Sequence, residues 1–219
     1  MAMKKRVKAV IFDLGRTLIK SRKLHIPKLI NKHNIKLSQR QFGTAFIKLF
    51  HLRVWKDINY GIDELARKCG QQSNNRFKRE FKKFIQGHKI FEKYATTDSV
   101  LKTLRQHGYK IGLISNWDQY GFDVLDYHGL KKYFHSIAFS AHEGMRKPDP
   151  RIFRKVLRHL KVKPGEALMV GDHLKKDYRA AKLLGMHALL LETKNRKYKH
   201  SIRNLRQVLS YIKKVNGSL

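Results

Sequence analysis

Val10-Ile11-Phe12-Asp13-Leu14-Gly15-Arg16-Thr17-Leu18 is the stretch on which the fold turns. From Val7 to Phe12 the chain reads as a strand, and a near-continuous apolar run of that length belongs to a strand buried on both faces. It ends on a carboxylate, Asp13, followed by a glycine, a polar pair and more apolar residues. In open α/β sheets the ligand crevice lies outside the carboxyl ends of the strands, so Asp13 stands where chemistry is expected.

Downstream, strand and helix signals alternate. Thr97 or Asp98 can cap a helix running to about Gln106 and closed by Gly108. Tyr109–Ile114 reads as a second strand, Asp118–Tyr127 as a helix closed by Gly129, and His135–Phe139 as a third strand. Pro148-Asp149-Pro150 opens a helix to Leu160, with proline where helix starts tolerate it. Ala167–Val170 is a fourth strand, Lys175–Leu184 a helix, His187–Leu191 a fifth strand, and about Ile202–Val215 a terminal helix. Such alternation implies an α/β fold, a parallel sheet with helices on both faces. The block from Leu24 to Tyr94 differs. Phe42, Phe46, Phe50, Val54, Ile62, Leu65, Phe77, Phe81, Phe84 and Ile85 fall at helical spacing, with no strong strand pattern. It reads as a small helical bundle over residues 21–94, inserted into a core of residues 1–20 and 95–219, its aromatic stripe serving packing.

The chain has 219 residues, enough for one core and a small second module. It carries 49 Lys+Arg against 16 Asp+Glu, a formal charge of +33. Such a field attracts polyanions, including nucleic acid and phosphorylated substrates, or reflects a solvated basic surface. Apolar content of 42% argues against wholesale disorder. Cys69 is the single cysteine, which excludes an intrachain disulfide and fits a reducing, cytoplasmic setting. No apolar run approaches a membrane span, and the basic N-terminus runs directly into the first strand rather than into a signal peptide. Oligomeric state is not legible.

The chemistry-bearing residues fall at strand ends. Strand one ends in Asp13, strand two in Ser115-Asn116, and strand four in Gly171-Asp172, with Asp177 five residues on; Lys147 precedes the proline-started helix. A parallel sheet brings these tips to one edge. Carboxylates crowded together repel unless a cation lies between them, and a hard divalent ion with oxygen ligands, magnesium above all, suits such a cluster.

These motifs resemble those of the haloacid dehalogenase (HAD) superfamily over almost the whole chain. Asp13-Leu14-Gly15-Arg16-Thr17 resembles its first motif, aspartate-x-aspartate-x-threonine, with glycine in place of the second aspartate. Ser115-Asn116 resembles the second motif, Lys147 in Arg146-Lys147-Pro148-Asp149-Pro150 the third, and Gly171-Asp172-His173-Leu174-Lys175-Lys176-Asp177 the fourth. The resemblance implies a Rossmann-like core with a helical cap over the site. It implies Asp13 as nucleophile forming an aspartyl-phosphate, and Mg2+ held by Asp13, the Gly15 carbonyl and Asp172, with Asp177 positioning its waters. It implies Thr17, Ser115, Asn116 and Lys147 on the phosphate of a small phosphorylated substrate, and Lys147 as the cation that neutralises nucleophile and phosphate. Gly171-Asp172…Asp177 is the magnesium-phosphatase form of the fourth motif, which favours a phosphatase over a dehalogenase.

Gly15 is the departure. In family phosphatases the aspartate there protonates the leaving group and activates water, help worth about 10²–10⁴-fold. Some branches, the dehalogenases included, lack it and still use the first aspartate. Arg16 replaces a usual glycine, either clamping a phosphate or standing solvated. Gly15 and the charge also support a second reading: a HAD fold of weak or no turnover that binds RNA or another polyanion, with Lys194, Arg196, Lys197, Tyr198 and Lys199 as a basic, aromatic run. His173 is a candidate to approach substrate, Trp117 to line the cap interface, and Asp118 to start a helix. Glu143 and Arg146 are candidates to support Lys147, and Cys69 reads as inert.

Overall fold

The computed structural model describes residues 6–21, 30–51, 54–85, 91–192 and 200–217. In chain order they form β1 (Ala9–Phe12), β2 (Ile19–Ser21), α1 (Gln39–Phe50), α2 (Ile58–Lys68), α3 (Asn75–Ile85), β3 (Phe91–Lys93), α4 (Thr97–Gln106), β4 (Lys110–Ser115) and α5 (Gly121–Tyr127). Then come β5 (Ser136–Phe139), α6 (Ser140–Glu143), α7 (Pro150–Leu160), β6 (Ala167–Gly171), a π-helical turn (Leu174–Arg179), α8 (Ala180–Leu183), β7 (His187–Leu191), β8 (Ser201–Ile202) and α9 (Arg206–Asn216).

β1 lies between β4 and β6 in a six-stranded sheet of order β5-β4-β1-β6-β7-β8, with every neighbouring pair parallel. Its residues divide by the pleat, because successive side chains in a strand point to opposite faces. Val10 and Phe12 pack with Val100, Leu101 and Leu104 of α4 and with Val208 and Ile212 of α9. Ala9 and Ile11 pack with Ile152, Phe153 and Val156 of α7 and with Ala180 and Ala181 of α8. Covering both faces is what lets an uninterrupted apolar strand exist in water. The register sets Phe12 beside Leu113 and Val170, so β1, β4 and β6 end side by side.

Between β2 and β3, helices α1–α3 build a separate apolar cluster around Phe42, Phe50, Ile62, Leu65, Phe77 and Phe81. The Phe77 and Phe81 rings stack at 5.7 Å. Ser38 and Gln41 form a capping box at the start of α1. Val54, read as part of the apolar stripe, lies beyond α1 and is 48% exposed. The insert meets the sheet domain partly through the Trp55 backbone amide, which donates to Gln119 Oε1 at 2.7 Å.

Several expectations need correction. β3, which pairs antiparallel with β2 in a three-residue ribbon at the insert's stem, falls in the Leu24–Tyr94 block read as having no strong strand pattern. Three residues are too few for a period-2 pattern to register. The terminal helix begins at Arg206 rather than near Ile202, because Ser201 and Ile202 join the sheet edge as β8, parallel to β7. The expected helix Lys175–Leu184 divides into a π-helical turn and the short α8. Neither Thr97 nor Asp98 caps α4; the N-cap is Thr96, and the buried Thr97 hydroxyl donates to the Leu18 carbonyl at 2.7 Å. The basic run 194–199 lies outside the described residues. Among the described residues no helix is long and apolar enough to cross a membrane.

Candidate active site

Asp13 follows directly on β1, Ser115 closes β4, Asp172 follows β6, Asp177 sits in the π-helical turn, and Lys147 lies ahead of α7. The fold brings all five together. The Lys147 ammonium donates to Asp13 Oδ1 at 2.6 Å and to Asp177 Oδ1 at 2.6 Å, and its side chain is 3% exposed. Ser115 Oγ donates to the same Asp13 Oδ1 at 3.1 Å, and Thr17 Oγ1 to Asp13 Oδ2 at 3.4 Å. Oxygens of Asp13, Asp172 and Asp177 all lie within 4.8 Å of one another.

Burial would depress the Lys147 pKa, but the charges and hydrogen bonds of Asp13 and Asp177 raise it, so the ammonium stays charged. Burial pushes the Asp177 carboxyl up despite Lys147, with the Asp13 charge adding to the push. Asp172 is raised by burial and by Asp13, against the opposing pull of Arg16 and Lys147. Three carboxylates thus share one buried ammonium and one exposed guanidinium, leaving the cluster short of positive charge.

Gly171 is required by close approach: a Cβ there would fall inside the Asp177 carboxyl. Asp177 Oδ2 accepts from the His173 backbone amide at 3.0 Å, which turns the carboxyl back toward the sheet. The π-helical turn carries out this folding-back; such turns are frequent at functional sites. Asn116 braces Lys147 from both sides, its Nδ2 donating to the Lys147 carbonyl at 2.9 Å and its Oδ1 accepting from the Lys147 amide at 2.8 Å.

Arg16 adopts a left-handed conformation, φ 59°, and its guanidinium meets Asp172 Oδ2 at 2.8 Å. It is neither free in solvent nor placed solely for a substrate phosphate. A Cβ at Gly15 would sit 3.2 Å from Trp117 Cζ3, and the Trp117 ring lies 5.1 Å from that of Phe91. The indole therefore borders the space a side chain at position 15 would enter. The sequence singled out Gly15 but carried no sign that Trp117 answers it, because the two are 102 positions apart.

A cavity of about 470 Å³ spans the interval between sheet edge and insert. Asp13, Ser115, Lys147 and Asp172 line one side, and Phe42, Phe46 and Ile47 the other. Asp118, read as a helix starter, also lines it; its Oδ1 accepts from the Tyr120 amide at 3.0 Å, and burial, with the Asp123 charge, raises its pKa to about 7. His173 reaches the cavity wall while its Nδ1 accepts from the amides of Lys175 and Lys176. Glu143 pairs with Lys155 of α7 rather than supporting Lys147. Cys69 is buried and its thiol is pushed up to about 11 by burial, which agrees with an inert residue.

A parallel α/β sheet with carboxylates, a hydroxyl and a buried ammonium at adjoining strand tips defines a hydrolase-like site of the HAD type. The chain belongs to the haloacid dehalogenase-like hydrolase family, whose sequence model matches residues 10–191. It is 28% identical to glyceraldehyde 3-phosphate phosphatase of Pyrococcus furiosus, over 98% of this chain and 96% of that protein. It is 30% identical to phosphoglycolate phosphatase of Vibrio vulnificus, over 82% of this chain and 81% of that one. The crystal structure of a HAD phosphatase from Thermococcus onnurineus matches with a TM-score of 0.68 at 26% identity, covering 97% of this chain and 99% of that chain.

Proposed function

We propose that the protein is a magnesium-dependent phosphatase acting on a small phosphorylated molecule, with Asp13 as nucleophile and the helical insert 21–94 as a cap over the site. The observation that carries this reading is the buried Lys147 ammonium held between Asp13 and Asp177, with Asp172 completing a compact set of oxygens. Hard oxygen donors and a deficit of positive charge fit magnesium, for which Asp13, Asp172, Asp177 and the Gly15 carbonyl are the candidate holders. Bound there, the ion would neutralise charge on the phosphoryl oxygens.

The chain's own groups account for the remaining steps. Lys147 and Ser115 both bond Asp13 Oδ1 and fix the carboxylate. An Asp13 oxygen forms the bond to phosphorus as the bond from phosphorus to the ester oxygen breaks, giving an aspartyl-phosphate and the free leaving group. The hydroxyls of Thr17 and Ser115, the Asn116 backbone amide and Lys147 stabilise the transferring oxygens. Asn116's carboxamide positions Lys147. Water then attacks the aspartyl-phosphate, releasing inorganic phosphate and restoring the carboxylate. With glycine at position 15, the leaving oxygen takes its proton from water, which favours leaving groups stable as anions. The single free cysteine fits the cytoplasm.

The test is magnesium-dependent hydrolysis of an aryl phosphate by wild type, Asp13→Asn and Gly15→Asp. Wild-type turnover lost in Asp13→Asn supports the reading. A silent wild type with activity appearing only in Gly15→Asp overturns it in favour of a polyanion-binding protein built on an idle site.

A further inference from the structure

Where the insert meets the sheet domain, two cations and an imidazole gather without an anion. His51 directly follows α1 and lines the cavity, as does Lys176 of the π-helical turn. Arg146 adjoins Lys147 in the loop ahead of α7. His51 Nδ1 and Arg146 Nε are both buried with no hydrogen-bond partner. Among the described residues, no carboxylate pairs with the Arg146 guanidinium or the Lys176 ammonium, and the nearby acids are already engaged: Asp177 by Lys147, Asp172 by Arg16 and Glu143 by Lys155.

Burial, aided by the charges of nearby Arg146 and Lys176, holds the His51 imidazole at a pKa of about 4, neutral at physiological pH. Burying polar atoms without partners costs about 1–3 kcal/mol each, more where charge is involved, and native proteins leave few such groups. Two cations and a neutral imidazole, two of the three with orphaned atoms and two of them on the cavity wall, gathered where the insert meets two loops of the sheet domain, are what an anion site looks like before its anion arrives.

We propose that His51, Arg146 and Lys176 form a second anion subsite, so that the substrate is a phosphomonoester carrying another acidic group, a carboxylate or a second phosphate, on a short apolar spacer. This rests on the reading of the Asp13 site as the phosphoryl end. The spacer passes Phe46 and Ile47, which offer apolar contact and no competing charge. Arg146 supplies guanidinium donors suited to paired oxyanion oxygens, Lys176 a point charge, and His51 closes the subsite from the insert. An acidic tail would therefore bridge insert and sheet domain, and a neutral tail of the same size would leave the orphaned polar atoms unpaired.

The experiment uses non-hydrolysable phosphonates, so that binding is read apart from turnover. Calorimetric titration of the magnesium-loaded protein compares 4-carboxybenzylphosphonate with its neutral isostere 4-carbamoylbenzylphosphonate, and 2-carboxyethylphosphonate with propane-1,3-bisphosphonate. The acid is expected to bind about tenfold or more tightly than the amide, the worth of a charge-assisted contact. That ratio should fall toward one in Arg146→Met and in Lys176→Met, and the second pair tells whether carboxylate or phosphate is preferred. Equal affinity of acid and amide in the wild type overturns the subsite, with no variant needed; so does a preference for the acid that persists in both variants. Hydrolysis of 4-carbamoylphenyl phosphate is measured alongside. Turnover there without an acid preference sinks the subsite and spares the phosphatase, whereas an acid preference in binding with no turnover of any ester sinks the phosphatase and spares the subsite.

Discussion

On the floor of the cavity, Asp13, Ser115, Lys147 and Asp177 answer one another at 2.6–3.1 Å. On the insert side, Phe42, Phe46 and Ile47 offer surface without direction, and His51 Nδ1 has no hydrogen-bond partner. The floor is organised before any ligand arrives; the insert side is a fitting surface waiting for one. Catalysis by preorganised charge needs the first kind of wall, and selection among substrates needs the second. A change on the floor should therefore alter rate or stability for every substrate, and a change on the insert side should alter preference among them.

The largest effect expected on the floor is that of Asp13→Asn. An amide cannot form the aspartyl-phosphate, so kcat should fall on the order of 10⁴-fold whatever the leaving group. Assays with an aryl and an alkyl phosphate check this; a loss confined to one of them would break the assignment of the floor to chemistry common to all substrates.

Lys147→Met should show next, in stability. It leaves Asp13 and Asp177 facing one another in a buried site without their shared ammonium. Breaking a buried pair by removing one partner costs about 3–5 kcal/mol. Urea unfolding at neutral pH, without divalent cations, measures it. A cost near zero would mean that the floor is not held by this ion pair and that the contrast with the insert is only one of composition.

Asp118 lines the cavity outside the bonded floor, and it tests where the floor's compensation ends. Its carboxyl is buried without a cationic partner and is raised from 3.8 to about 7. Below the lower value both folded and unfolded chains hold the proton; between the two values only the folded chain does. Stability therefore falls as pH rises through that window and is flat above it. Asp118→Asn keeps an acceptor for the Tyr120 amide and removes the ionisation. Its unfolding free energy should exceed that of wild type at pH 8, by about 4 kcal/mol at most, and converge with it near pH 4. Parallel curves for the two proteins would sink the claim that this acid is uncompensated.

The same contrast explains what the sequence made legible. Asp13, Ser115 and Asp172 each close or follow a short apolar run, Lys147 stands just ahead of a proline-marked helix start and Asp177 lies five residues beyond Asp172, and a parallel sheet leaves such tips only one edge to share. Local signals were enough to expect their convergence. β8 was misread because a two-residue edge strand has no periodicity of its own and exists through pairing with β7. The π-helical turn was read as plain helix because its distinguishing contact, Asp177 lying over Gly171, is made by folding back and not by spacing. Arg146 and His51 come from different parts of the chain, and their relation lies in the missing partner, which no residue pattern records. Trp117 likewise gains its meaning only once it is found beside Gly15.

The smallest effect lies at Arg16, where the floor reaches solvent. Its guanidinium pairs with Asp172 at 2.8 Å, and in the proposed site a metal ion would draw on the same carboxylate. An exposed ion pair is worth about 1 kcal/mol or less, so the competition is mild. Arg16→Gly removes the guanidinium and at the same time suits the left-handed backbone at this position, φ 59°, which glycine adopts without strain. Magnesium should then bind a few-fold more tightly, up to about fivefold by that energy, as read by calorimetric titration. An unchanged affinity would mean that Asp172 holds guanidinium and metal through separate oxygens. Arg16 would then be a fixed part of the floor, and the organised side of the cavity would extend one residue further toward solvent.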